Sequence, residues 1–127
     1  MRATASQVNT NEVKLVPGRT MTVEGRKRLY WHIHNAGKRA GHVSIDYLEN
    51  QGRPKDASID IFLNKQSRGR GIGTVAFRQA CELSGLPEVF ASIRKSNAAS
   101  RIAAQRAGFV PLHDEPSGEL LMIWKPS

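Results

Sequence analysis

The alternation of apolar and polar positions divides the chain into a strand-rich first half and a helix–strand–helix second half. Asn11 to Pro17 reads as a short strand, stopped by Pro17-Gly18. Arg28 to Asn35 (RLYWHIHN) is rich in aromatic and branched residues, as a strand requires. Ala36-Gly37-Lys38 marks a turn, and Arg39 to Leu48 returns as a second strand, which predicts a hairpin. Asn50 to Asp56 reads as a polar loop holding Gly52 and Pro54, and Ala57 to Leu63 (ASIDIFL) as the next strand. The period then changes. Ile72, Val75, Ala76, Ala80 and Leu83 fall on one face of a predicted helix, which Gly85-Leu86-Pro87 ends. Glu88 to Ile93 is a strand, and Ser96 or Asn97 can cap a second helix reaching Ala107, with Gly108 as its stop. Phe109 to Leu112 and Gly118 to Trp124 close the pattern as two strands. The order β-β-β-β-α-β-α-β-β predicts an α/β (α+β) domain, its sheet mixed and mostly antiparallel with one parallel step.

Composition adds the setting. With 127 residues the chain makes one domain, 1–127, whose first ten residues are polar and expected to form a loose tail. Met1 to Thr10 lacks the apolar core of a signal peptide, and no apolar run approaches the roughly 20 residues that cross a bilayer. A lone cysteine, Cys81, excludes an intrachain disulfide and fits a reducing compartment, so a cytoplasmic location away from membranes is expected. The net charge of +8 points to a polyanionic ligand, an acidic substrate or nucleic acid. Its distribution narrows the choice. From Ile61 to Cys81 the chain carries Lys65, Arg68, Arg70 and Arg78 and no acid, around a glycine-rich stretch. That favours a phosphate-bearing ligand there, and leaves RNA as the third choice.

Gly69, Gly71 and Gly73 sit between a predicted strand and a predicted helix start. Glycines there leave backbone N–H groups uncovered, and the helix dipole adds partial positive charge, so the turn can cradle a diphosphate. Arg68 and Arg70 would add charge-assisted contacts. From the glycines alone, a tight turn without a ligand is the other reading. A P-loop is excluded, because Gly73 is followed by Thr74 and Val75 and not by Lys and Ser/Thr. A dinucleotide fingerprint starting at Gly69 would need a glycine where Thr74 stands.

Read as Arg-x-x-Gly-x-Gly through Arg68, Gly71 and Gly73, the loop resembles the acetyl-CoA signature of the GNAT superfamily of N-acetyltransferases. Asn97-Ala98-Ala99-Ser100, followed by Ala107-Gly108-Phe109, looks like that family's second motif, at the interval its helix–strand–helix requires. The resemblance covers about Ala57 to Leu112. It implies acetyl transfer from acetyl-CoA to an amine by direct attack, with no metal and no covalent enzyme intermediate. The loop Arg68, Gly69, Arg70, Gly71, Ile72, Gly73 and Thr74 would hold the CoA pyrophosphate. A backbone N–H near Phe62 or Leu63 would polarise the thioester carbonyl, and Asn97 would bond the pantetheine arm. An acyl-CoA-binding module without catalysis is the alternative.

Two departures from the family pattern bear on mechanism. The tyrosine that many members use to protonate the leaving thiolate is replaced by Ala104, with Ser100 the nearest substitute as acid. Only about ten residues separate Pro17 from Arg28, where the family places two helices that wall the acceptor site. The acceptor side is thus expected to be open, or completed by a second copy in a homodimer. Strand alternation puts Ser58, Asp60 and Phe62 on one face, with His42, Ser44, Asp46 and Tyr30, His32, His34 on polar faces nearby. Asp60 is the first candidate for a base acting through water, since a free amine is mostly protonated at neutral pH. His32, His34 and His42 could be imagined as metal ligands, but no supporting Cys or Glu cluster accompanies them. Cys81 reads as a structural helix residue.

Overall fold

The computed structural model describes residues 9–127, so the expected tail lies largely outside the described residues. Asn9 accepts a hydrogen bond from the Asn11 N–H at 2.9 Å and caps a 3-10 turn, Thr10–Glu12, where a loose end was expected. Strands β1 (Val13–Pro17), β2 (Met21–Val23), β3 (Arg26–Asn35), β4 (Lys38–Asn50) and β5 (Arg53–Leu63) precede helix α1 (Ile72–Ser84). Then come β6 (Val89–Arg94), α2 (Ala98–Arg106), β7 (Val110–Asp114) and β8 (Glu119–Trp124). They form an 8-stranded sheet in the order β1-β3-β4-β5-β6-β8-β7, with β2 paired to β3. Every pairing is antiparallel except β5 with β6.

Two elements differ from the sequence expectation. The polar loop at 50–56 is a tight hairpin, and its residues extend β4 to Asn50 and start β5 at Arg53. Gln51 and Gly52 both adopt positive φ (52° and 77°), the geometry of a two-residue turn that matches strand twist. Glu24-Gly25 and Ala36-Gly37 turn in the same way, and the first of them creates β2, a strand that the few residues after Pro17 did not announce. The family's two helices have no counterpart between Pro17 and Arg28, in accord with the short interval.

One face of the sheet carries the core. Ile33, Val43, Ile45, Ile59, Val89, Ala91 and Met122 point to it and are buried beneath α1 and α2. Helix α1 presents Ile72, Val75, Ala76, Phe77, Ala80 and Cys81, and Phe77 meets Phe109 edge-on at 5.6 Å. Leu83, expected on that face, is 60% exposed because the buried stripe runs through Phe77 and Cys81. Leu83→Glu is therefore expected to change stability by no more than about 0.5 kcal/mol in urea titration. The opposite face carries Tyr30, His32, His42, Asp46, Asp60 and Phe62, and no helix among the described residues lies in the segments that could cover it.

Candidate functional site

The loop between β5 and α1 is built for open backbone donors. Gly69 and Gly71 have φ of 71° and 87°, left-handed values that cost side-chain-bearing residues energy. Gly71 is the N-cap of α1 and has no side chain with which to cap the helix. The first-turn N–H groups are left for another acceptor, and no acid in that turn opposes an anion. At α2 the arrangement is different: Asn97 Oδ1 accepts the Ser100 N–H at 3.1 Å and closes the helix start. Gly73, inside α1, faces Leu63 and Ala103. A methyl group there would stand 3.6 Å from each, an ordinary contact, so packing within the protein does not demand a glycine.

The end of β5 supplies the second wall. The Asn64 N–H donates to Ala40 O at 2.8 Å, and alternation directs the Phe62 N–H to β4 as well. The N–H groups of Ile61 and Leu63 then face away from β4, toward β6. There the ladder has ended, for β5 and β6 pair only at Ser58 and Phe90. The two strands splay beyond that point. Leu63 O, which borders the gap, accepts Arg68 Nε at 3.1 Å, and the Arg68 guanidinium lies 5.9 Å over the Phe62 ring. Arg68 thus clamps the loop to the strand end at the mouth of the site.

Loop, strand end and α2 enclose a cleft of about 560 Å³. Of the residues singled out in the sequence, Phe62, Leu63, Arg68, Gly69, Gly71, Gly73, Thr74, Asn97 and Ser100 line it. Arg70 and Ile72 do not. The Ile72 side chain is buried in the core, so only its backbone can serve a ligand. Asp60 lies outside the cleft on the open face, exposed, two residues before Phe62. Ala104, the position of the missing tyrosine, is fully buried and does not reach the cleft, whereas its neighbour Ala103 does. Ile61 and Ala103 line the cleft without having been singled out, and Gly41 lies against the Phe62 and Leu63 backbone beside it. A Cβ on Gly41 would stand 2.0 Å from Phe62 O, so β4 and β5 approach closely where the site begins. A glycine inside a predicted strand is the signal that could have found it.

The open face is ordered in cross-strand rows. Arg28, Asp46 and Ser58 form one, Tyr30, Ser44 and Asp60 the next, and His32, His42 and Phe62 the third. His42 stacks between Tyr30 at 5.5 Å and Phe62 at 5.4 Å. Burial, then the nearby Arg39, His34 and His42, push the His32 imidazole below its usual range and favour its neutral form. Among the described residues no group of three or more His, Cys, Asp or Glu is placed to hold a metal ion. Burial pushes the Cys81 thiol up to about 12, so it stays protonated in the core and is no nucleophile.

Residues 7–110 match the family described as Acetyltransferase (GNAT) domain. The chain belongs to the GNAT acetyltransferases. Among solved structures, aminoglycoside acetyltransferase AAC(6')-Ib in complex with paromomycin and acetyl-CoA is 20% identical, with a TM-score of 0.65. The match covers 77% of this chain and 64% of that one, so the chain spans less than two thirds of its length. A GNAT-family acetyltransferase from Streptococcus pneumoniae gives 22% identity and a TM-score of 0.68, covering 79% and 67%. RimJ of Mycobacterium smegmatis, in complex with CoA-disulfide, gives 23% and 0.62, covering 77% and 53%. No curated protein sequence matches the chain. At these identities the structural likeness carries the fold, a mostly antiparallel mixed sheet with two helices.

Proposed function

We propose that this GNAT chain transfers an acetyl group from acetyl-CoA to an amine by direct attack. The observation that carries the reading is the uncapped start of α1, reached through left-handed glycines and opening on the gap between β5 and β6. A diphosphate fits the N–H groups of that first turn, and an extended arm fits the gap, where Leu63 offers unladdered backbone groups. AAC(6')-Ib and RimJ were solved with acetyl-CoA, CoA or CoA-disulfide, which supports the same ligand class here. In this reading the Leu63 N–H polarises the thioester carbonyl. Asn97 steadies the arm, and Asp60 takes the amine proton through water from the open face. Ser100 lines the cleft, and this reading sets it beside the leaving sulfur. A hydroxyl is a weaker acid than a thiol, so Ser100 donates a hydrogen bond to the thiolate and solvent supplies its proton.

The bare sheet face fits a large amine acceptor, such as a protein terminus, or closure by a second copy of the chain. Sedimentation with and without acceptor separates those cases. This reading includes a cytoplasmic location, supported by the need for acetyl-CoA and by a single free, buried Cys81. One observation favours a second reading, a module that binds acyl-CoA without turnover: Ala104 is buried and offers no proton donor.

The test is calorimetric titration with acetyl-CoA, followed by a thiol-release assay with kanamycin, spermidine and an unblocked peptide as acceptors. Gly73→Ala sharpens it. Replacing a helical glycine whose methyl has room should stabilise the fold by about 0.5–1 kcal/mol. The same methyl would occupy the cleft wall and weaken acetyl-CoA binding by about tenfold, roughly 1.4 kcal/mol. Unchanged affinity in this stable variant would remove the loop as the CoA site. Binding without thiol release for any acceptor would favour the non-catalytic module.

A further inference from the structure

The open face holds two carboxylates in neighbouring rows, Asp46 and Asp60, and Arg28 stands opposite Asp46 on β3, with Arg26 one step along that strand and Arg68 over the Phe62 ring. The Arg28 guanidinium is paired with one of the two. Its Nε donates to Asp46 Oδ1 and its Nη2 to Asp46 Oδ2, both at 2.7 Å, a bidentate pair in a half-buried setting. Asp60 lies diagonally beyond Asp46, opposite Ser44, is exposed, and forms no ion pair among the described residues. Yet it is near enough for its charge, after that of Asp46, to raise the affinity of Arg28 for its proton, with Glu24 adding a smaller share. Both acids therefore act on the Arg28 guanidinium, and geometry has awarded it to Asp46.

We propose that Asp46 is a positioning residue: by holding Arg28 in a bidentate grip, it keeps the guanidinium off Asp60 and leaves that carboxylate free to accept the proton of the attacking amine. This rests on the reading of Asp60 as the base. The step it protects balances simply. The amine nitrogen forms a bond to the thioester carbon, its surplus proton passes through water to Asp60, the carbon–sulfur bond breaks, and the thiolate takes a proton from solvent. A carboxylate paired with an arginine is a poorer base, because the pair stabilises its charged form. The other groups facing Asp60 do not substitute for Arg28. Tyr30 and His32 share its side of the sheet on β3 and His42 on β4, Arg68 lies over the Phe62 ring, and Arg94 with Glu115 and Glu119, both bonded to Ser92, stand across the splay.

The experiment follows the Asp60 carboxyl carbon by NMR against pH in the wild type, Asp46→Asn and the double variant Arg28→Gln/Asp46→Asn. Asp46→Asn should release Arg28 toward Asp60 and lower the Asp60 midpoint. The double variant should return it to the wild-type position. With kanamycin or an unblocked peptide as acceptor, Asp46→Asn should lose about tenfold in kcat, with its acid limb moved to lower pH and acetyl-CoA affinity unchanged. The double variant should recover to within about twofold of wild type. One Asp60 midpoint common to all three proteins overturns the proposal, as does a double variant no faster than Asp46→Asn, which is the pattern of a purely structural pair. Asp60→Asn is the separate control: full turnover there would discard Asp60 as the base, while the three-way NMR comparison still reports whether Asp46 diverts Arg28.

Discussion

Gly41→Ala is expected to leave the protein without a stable site, and largely without a stable fold. The added methyl would lie 2.0 Å from Phe62 O, 2.9 Å from Phe62 C and 3.0 Å from Leu63 Cα, all backbone atoms that no rotamer change can move. Relief requires separating β4 from β5 where their ladder ends, at the hydrogen bonds around Phe62 and Asn64. Losing such a buried crossing should cost about 3 kcal/mol or more, at the upper end of single substitutions. Urea unfolding gives the number. If a folded fraction survives, its acetyl-CoA affinity should also fall, because the same displacement moves the Leu63 backbone. An alanine variant with wild-type stability and affinity would mean that the strands do not approach as described.

Restoring the family's tyrosine is expected to fail. Ala104→Tyr would seem to return the missing acid, but the Ala104 side chain is fully enclosed and is not part of the cleft wall. A phenol ring has to displace core neighbours, and overpacking of this size should cost about 3 kcal/mol or more. Thermal unfolding should show a lower midpoint and the thiol-release assay no gain. A stable and faster variant would place Ala104 beside the leaving sulfur and overturn this arrangement.

Much of the architecture was written in local patterns. Both helices ended where Gly85 and Gly108 said they should, with φ of 69° and 108°, and Asn97 capped α2 as its position implied. Local signals failed where a pair of neighbours, and not one residue, decides the outcome. Gln51-Gly52 turned a polar stretch into a hairpin, although Pro54 had argued for a loop. Leu83 obeyed the helical period yet faced solvent, since periodicity cannot choose between two adjacent apolar stripes when Phe77 and Cys81 define the other. At the site, the glycine loop was legible because its backbone geometry restricts residue type. The competition of Asp46 and Asp60 for Arg28, and the choice between the Phe62 and Leu63 amides, depend on strand register, which one strand's sequence does not contain.

The single parallel rung between β5 and β6 has a consequence for cooperativity. It leaves the sheet as two half-sheets, β1 to β5 and β6 to β8, joined along β5 and β6 by that one rung and by the packing of α1 against α2. A ligand arm lying in the splay then acts as a borrowed strand, joining halves that the chain itself leaves unzipped. Amide exchange at Ile61 and Leu63 should accordingly slow when the arm is in place, and the two halves should melt as one unit where the empty protein loosens along its seam.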